Sequence, residues 1–507
     1  MTDVRPTNLA EAFDIHLSRA PDAAALIVGD RVYSRAEIGE LAERAVGMLQ
    51  EKGVRPGNRV VVQYDTSPED VAIALATARV GGTLIPVPKR LGMREINFLL
   101  GRSEAALFCH VGANPADGLT LPAGASVASS NAIRSHDRTA KEIVPMPDDH
   151  CALIGVTSGS TGQPKGVMHG WRGVAWAGER MRALGRVQAD EAVMMTGAGA
   201  GAPGFTFFTY MPLVTGAAIV RATKWDPVEV LRLAQEHGCV WSCMVPTMLR
   251  MLLDARAEAL GEGRLDAMRA ISMGGGFMSV ELIERARREL GVEVLRMYAM
   301  AECMSNASTE IDDSVDVRNM LDGRAGPGAA LAVFDDDRKP LPVGAKGEIG
   351  LKGPSLLQGY LAEPRGKPDL MTPDGFFLSG DIGEMDEQGY VRIVGRKKDM
   401  INRGGYKIDP SEVEELICRH PAVAKVAVVG YPDALYGERS CAVVELRPSH
   451  MLAFDELTAF LLREGLSKEK LPERFESRDA LPLSPDGKIL KAAVKAEIGT
   501  DPTSSLG

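Results

Sequence analysis

Four hydroxyl side chains and one lysine sit among glycines in the stretch VTSGSTGQPKGVMHG, Val156 to Gly170. Successive backbone N–H groups of a Gly-rich turn form a concave nest for an anion. Thr157, Ser158, Gly159, Ser160, Thr161 and Gly162 supply such a turn with added hydroxyl donors, and Lys165 supplies a point charge. The chemistry this suits is phosphate binding. The spacing is not that of the common nucleotide loop, in which Ser or Thr follows the lysine to hold magnesium. Here Gly166 follows, and Pro164 leaves no amide donor on the other side. A plain surface loop is the competing reading of the same composition.

Other stretches complete a nucleotide site. SMGGGF (Ser272 to Phe277) and MYAMAE (Met297 to Glu302) each follow a run that reads as a strand. In open α/β sheets, ligands bind beyond the carboxyl ends of the strands. Gly274, Gly275 and Gly276 permit close backbone approach to a flat ring. Tyr298 can stack on a base, and Glu302 is a hard oxygen ligand suited to magnesium. Taken singly, Tyr298 reads as core and Glu302 as a solvated acid. Asp381 in LSGDIG and Arg396 in GRKKDM suit a ribose diol. Lys488 follows a Pro/Asp/Gly turn in LPLSPDGKILK, where a solvated surface charge is the plainer reading.

These residues need elements to position them. A chain of 507 residues is too long for one core and predicts at least two domains. Runs such as RVVVQY, DVAIALATARVGG and TLIPVP alternate strand and helix character, the pattern of mostly parallel α/β sheets. From about Ala330 to Gly395 short alternating strands predict a small antiparallel barrel or meander. The expected class is therefore α/β: a large N-terminal domain over 1–395, a hinge at 396–400, and a small mobile α+β domain over 401–507. In that domain SEVEELICRHP predicts a helix with Ser411 as N-cap and Glu414 closing a capping box. A net charge of −10 gives no footprint for nucleic acid or an anionic membrane. The N-terminal stretch carries acids and no apolar core, unlike a signal peptide. The best membrane candidate, VAIALATARVGG, is interrupted by Arg79. Seven scattered cysteines, with no second pair to join Cys239 and Cys243 in a zinc site, point to a reduced, cytoplasmic setting.

With its motifs in order, the sequence resembles the adenylate-forming superfamily of acyl-CoA synthetases, peptide-synthetase adenylation domains and luciferases. The resemblance spans the chain through ARVGGTLIPVP, TSGSTGQPKGV, GGGFM, YAMAE, GEIGLKGPSLLQGY, LSGD, GRKKDMINRGGYKIDPSEVE and PDGK. It implies ATP, Mg2+, CoA and a small-molecule carboxylic acid as ligands, with no nucleic acid, no integral membrane association and a homodimer as the candidate assembly. The loop would hold the β- and γ-phosphates, Tyr298 and Gly274 to Gly276 the adenine, Asp381 and Arg396 the ribose, and Glu302 the magnesium. Lys488 would bridge the carboxylate and the α-phosphate. Lys398 takes the hinge position, and Gly405 that of the glycine lining the pantetheine tunnel.

Two departures stand out. Ala299 and Ala301 replace the glycine and threonine of the family's Tyr-Gly-x-Thr-Glu, which removes a phosphate hydrogen bond of about 1–2 kcal/mol. Small residues fill Gly197 to Phe208, where relatives carry bulk. That segment reads either as a connecting loop or as an acid-pocket wall cleared for a branched, alicyclic or polycyclic acid. The pocket would take Ala200, Ala202, Gly204 and Phe205 together with Gly276, Met300 and Ala301. No Asp is present in it to hold an amino group, which argues against amino-acid activation. The rival readings are loading of a carrier-protein phosphopantetheine arm and a non-catalytic nucleotide-binding homologue.

Overall fold

The computed structural model of the chain describes residues 8–112, 118–158, 164–197, 199–276, 278–362, 370–404, 406–433, 435–483 and 489–498. The chain divides into two compact units, Met1–Leu331 with Leu351–Phe377, and Ala332–Gly350 with Leu378–Gly507.

The larger unit is built on two sheets. One has nine strands, with a parallel centre running Glu293–Met300, Ala270–Met273, Cys239–Met244, Ala192–Met195, Ala218–Arg221 and Ala24–Val28. Antiparallel strands close its edges, Arg31–Ser34 on one side and Cys303–Ser308 with Arg324–Ala325 on the other. The second sheet has seven strands, ordered Gly359–Tyr360, Pro164–Gly170, Cys151–Ser158, Thr83–Pro88, Arg59–Tyr64, Leu107–His110 and Ser126–Ser129. The phosphate-loop stretch and the glycine run therefore leave strands of different sheets, where the sequence pattern suggested one edge.

The apolar stretch considered for a membrane is the core helix Pro68–Arg79, buried at every residue. Ser67 and Asp70 form a capping box at its start. Arg79 at its end stays charged inside by pairing with Asp14 and by donating to the Lys141 carbonyl at 2.7 Å. A twelve-residue apolar helix is the length of a buried element rather than of a membrane span. Among the described residues, no helix is long and apolar enough to cross a membrane.

In the smaller unit, a four-stranded sheet orders Ala330–Phe334, Gly347–Lys352, Phe377–Met385 and Val391–Arg396. A five-stranded sheet is built on the long hairpin Val423–Asp433 and Gly437–Leu446. Its helices are Pro410–Cys418, Phe454–Arg463 and Lys491–Ile498. Lys398 and the rest of the expected hinge thus lie within the second unit, because the helix Pro410–Cys418 packs back on the strand that precedes them: a Cβ on Gly395 would stand 2.7 Å from Asp409 Oδ1. The cap of that helix also differs from the expected Ser411. Pro410 occupies the first turn, so the N-cap falls one residue earlier, on Asp409, whose carboxylate accepts from the Ser411 N–H at 2.9 Å. Glu414 closes no capping box and bonds elsewhere.

The small-residue segment is helical from Ala202, continuing through a π-helical turn Thr206–Tyr210 into Met211–Thr215. Gly201, with φ of +81°, makes the sharp entry and Pro203 fits the first turn. The helix lies directly on the strand Cys151–Ser158: a Cβ on Gly155 would stand 2.5 Å from the Ala202 Cβ and 2.6 Å from its N. Gly155→Ala is therefore expected to lower stability by about 1–3 kcal/mol through overpacking. Urea unfolding checks this, and an unchanged midpoint would contradict the contact.

Candidate active site

The loop stretch is the end of a hairpin. Cys151–Ser158 and Pro164–Gly170 pair antiparallel, with Thr157 opposite Lys165 and Val156 opposite Gly166. Gly159, Ser160, Thr161 and Gly162, and the side chain of Ser158, lie outside the described residues, as do Gly405 and Lys488. The glycine after the lysine has a packing cause. A Cβ at Gly166 would stand 2.8 Å from Leu361 Cβ and 2.9 Å from Ile154 Cγ2. The magnesium-holding hydroxyl of a Walker-type loop has no room there.

Glu302 sits with Ala301 in the turn between Glu293–Met300 and Cys303–Ser308, where Met300 faces Cys303. Three hydrogen bonds fasten this turn to the loop hairpin and to the segment beside it. His169 Nε2, on the strand Pro164–Gly170, is 2.8 Å from the Ala301 carbonyl. The Glu302 carbonyl accepts from the Leu357 N–H at 2.7 Å. The Tyr360 hydroxyl donates to Glu302 Oε1 at 2.9 Å. Tyr360 itself lies in a short strand paired with Met168 and Val167, and Lys165 Nζ stands 5.9 Å from its ring centroid. Lys165 and Glu302 thus both approach one tyrosine, the lysine near its ring and the carboxylate at its hydroxyl.

His169 is 1% exposed, and burial pushes its imidazole down to about 4. A carbonyl can only accept, so the neutral ring carries its proton on Nε2. The sequence reading passed over both His169 and Tyr360. The available signals were parity, because Lys165, Val167 and His169 share one face of a strand, and the terminal tyrosine of LLQGY.

The adenine-pocket candidates are neighbours. Gly274 follows Ala270–Met273, and a Cβ on it would stand 2.5 Å from the Met297 carbonyl oxygen of the adjacent strand. Gly275 adopts φ of +79°, and Gly275 and Gly276 are exposed. Tyr298 is half-buried within the strand Glu293–Met300 rather than in a loop after it. In the other unit Asp381 and Arg396 face each other across paired strands, Nε to Oδ1 3.2 Å. Asp381 is buried and Arg396 largely exposed. Lys398 is exposed in a short 3-10 turn, Lys397–Asp399.

Of the acid-pocket candidates, Ala202 and Phe205 are taken up by core packing. Ala202 lies against Gly155, and the Phe205 ring meets Tyr64 edge-on at 5.8 Å between centroids. Ala200, Gly204, Met300 and Ala301 keep partly exposed surfaces. Among the described residues no group of three or more His, Cys, Asp or Glu could hold a metal. Glu302 as a single carboxylate fits magnesium, which is commonly bound through one or two carboxylates plus substrate phosphates.

A family model described as AMP-binding enzyme matches residues 13–361, and one described as AMP-binding enzyme C-terminal domain matches 412–488. The medium-chain fatty-acid–CoA ligase of Escherichia coli (strain K12) is 28% identical over 515 residues, covering 97% of this chain and 90% of the relative. The feruloyl-CoA synthase of an Amycolatopsis species is 30% identical over 487 residues, covering 95% and 97%. The crystal structure of ATP-bound MatB from Rhodopseudomonas palustris superposes with a TM-score of 0.88 at 27% identity, covering 97% of this chain and 99% of that one.

Two measurements follow from the tied turn. Tyr360→Phe frees the Glu302 carboxylate, and the Mg2+ concentration for half-maximal ATP binding should rise roughly tenfold, as for other lost outer-shell partners of a metal ligand. An unchanged Mg2+ dependence would remove Tyr360 from this role. His169 has a folded pKa of about 4, below the unfolded value of about 6.5. The unfolded chain then binds more protons between these values, so this residue's contribution is intact above pH 6.5 and lost as pH falls toward 4. His169→Gln, which keeps a donor, should flatten that part of the stability–pH curve measured by urea unfolding; an equally steep acid loss would sink the assignment.

Proposed function

Since the chain belongs to the AMP-binding enzyme family and is an acyl-CoA synthetase that uses ATP, Mg2+ and CoA, we propose that it activates a bulky carboxylic acid by way of an acyl-adenylate. The supporting observation is the turn carrying Glu302, fastened to the phosphate-loop hairpin through His169 and Tyr360.

A free carboxylate is a poor electrophile and an acyl-phosphate anhydride a good one. A carboxylate oxygen therefore attacks the α-phosphorus, and pyrophosphate leaves. The Thr157 to Gly162 turn and Lys165 bind the departing phosphates, Gly274 to Gly276 and Tyr298 receive the base, and Asp381 with Arg396 receives the ribose. Glu302 would hold magnesium, which would supply neutralising charge for the phosphates. Lys488 balances the charge that gathers between the carboxylate and the α-phosphate. The work is mostly orientation and preorganised charge. In the second step the CoA thiol attacks the acyl carbon and AMP leaves with the bonding pair. A rotation of the domain over 401–507 about Lys398 withdraws Lys488 and brings Gly405 to the pantetheine arm.

The acid is assigned from space. Ala200, Gly204 and Ala301 are small and only partly covered, as is Met300. The two relatives are nearly equal in identity, and one is named for an aromatic acyl group and the other for a medium chain. The absence of bulk between Gly197 and Phe205 favours the ring-bearing acid.

AMP release with CoA and a panel of acids tests the whole reading. Branched and cyclic acids should exceed acetate and propionate in kcat/KM by at least tenfold, the order expected for apolar pocket selectivity. Preference for the short acids would overturn the bulky-acid assignment. Lys488→Ala should abolish acid-dependent pyrophosphate exchange and spare thioester formation from a supplied acyl-adenylate. Equal loss in both half-reactions would remove Lys488 from the first step.

A further inference from the structure

Glu414 was expected to cap its own helix and instead reaches across the smaller unit. Its two oxygens stand 2.7 and 2.9 Å from Lys491 Nζ, and Oε1 also accepts from the Val428 N–H at 2.6 Å. Lys495, one turn further along the helix Lys491–Ile498, pairs with Glu438 at 2.8 Å. The other oxygen of Glu438 accepts from the Asn402 N–H at 3.0 Å. Lys398, Met400, Glu438, Lys491 and Lys495 line one small cavity of about 30 Å3. The helix Lys491–Ile498 is thus bolted by one ion pair to the helix Pro410–Cys418 and by another to the strand Gly437–Leu446.

These bonds do something that apolar packing does not. The helix has eight residues, too few to hold its own shape in water. Its buried face is only Val494 and Ile498, set against Val429, Cys441, Val443 and Leu481. So narrow a seam resists removal and resists rotation poorly. A largely buried ion pair adds little net stability compared with an apolar pair, yet it fixes direction. Glu414 is 18% exposed, and burial drives its carboxyl upward against the opposing pull of Lys491. The helix start is fixed as well: Leu483 and Ile489 form an antiparallel bridge, and the Leu490 N–H donates to the Pro482 carbonyl at 2.9 Å. Lys488 lies one residue before Ile489.

We infer that Glu414 and Glu438 are positioning residues for the adenylation step, holding Lys491 and Lys495 so that Ile489 and Leu490, which follow Lys488 in sequence, keep one orientation relative to the strand Ile401–Arg403. This rests on the reading of Lys488 given above. The second half-reaction, in which Lys488 has no part, does not depend on the bolts.

Acid-dependent pyrophosphate exchange and thioester formation from supplied acyl-adenylate are measured on the full-length enzyme. Lys491→Met and Glu414→Gln are expected to lower exchange at least tenfold, the order of cost of a misplacement near 1 Å, with thioester formation within about twofold. Lys491→Arg should regain most of the exchange, and the double variant Glu414→Gln/Lys491→Met should be no worse than either single one. Lys495→Met, at the more exposed pair, should show the same selectivity at about threefold and guards against a folding defect at Glu414. Parallel loss in both half-reactions, or exchange at the parental rate, overturns the inference. Lys488→Ala separates the two levels: if it is selective and the Lys491 and Glu414 variants are not, the bolts alone are refuted. If Lys488→Ala is itself unselective, the reading beneath them falls with them.

Discussion

The two sheets of the larger unit are tied where the candidate site lies, first of all by the His169 imidazole, which donates to the Ala301 carbonyl. The turn carrying Glu302 belongs to the nine-stranded sheet and the loop hairpin to the seven-stranded sheet, and the bonds from Leu357 and Tyr360 to Glu302 share in setting their spacing. Sheets move as packed layers, so a carboxylate on one and a phosphate loop on the other need a cross-tie to stay within an ångström of a working distance. The Gly155–Ala202 contact gives a second, apolar tie between the loop strand and the small-residue helix. Both ties fall on the hairpin that starts at Cys151, which makes that hairpin the reference for the turn carrying Glu302 and for the small-residue helix.

How much of this was readable in advance depended on whether local or distant partners decide a position. The loop, the glycine run and the Asp381/Arg396 pair could be singled out as candidates because residue type within a short window suggests a chemistry. The core helix Pro68–Arg79 was legible by length, since its apolar stretch is too short to span a bilayer. His169 and Tyr360 were hidden because their function lies in what they touch, 132 and 58 residues away in sequence. A lone histidine on a strand carries no sign of the carbonyl it will meet. The assignment of the motifs to one sheet edge failed for a related reason: strand runs are local, and the choice of neighbour among many similar β-branched runs is not.

The helix cap and the small-residue segment show the same competition at finer scale. Ser411 and Glu414 have the spacing of a capping box, but Pro410 starts the helix and moves the cap to Asp409. That frees Glu414 for Lys491 and Val428, partners 77 and 14 residues away. Gly197 to Phe208 is rich in residues that favour turns, yet from Ala202 it is helical, because small side chains are what close approach to a strand requires. Smallness served packing at Ala202 and left open surface at Ala200 and Gly204. Composition alone could not divide the two uses.

The charge of each side-chain partner separates Glu302 from the carboxylates that face a cation. Glu414 and Glu438 each face a lysine ammonium, and Asp381 an arginine. Their negative charge is largely balanced, which suits them to hold protein or a neutral diol. Among the described residues, the side-chain partner of Glu302 is the neutral Tyr360 hydroxyl. The histidine that fixes its turn is also neutral at ordinary pH, burial having lowered it to about 4. A lysine or a protonated histidine in either place would fix the turn as well and would compete with a divalent cation for the carboxylate. Lys165 Nζ lies 5.9 Å from the Tyr360 ring centroid. Neutral groups thus position Glu302, in keeping with its proposed role as the magnesium ligand.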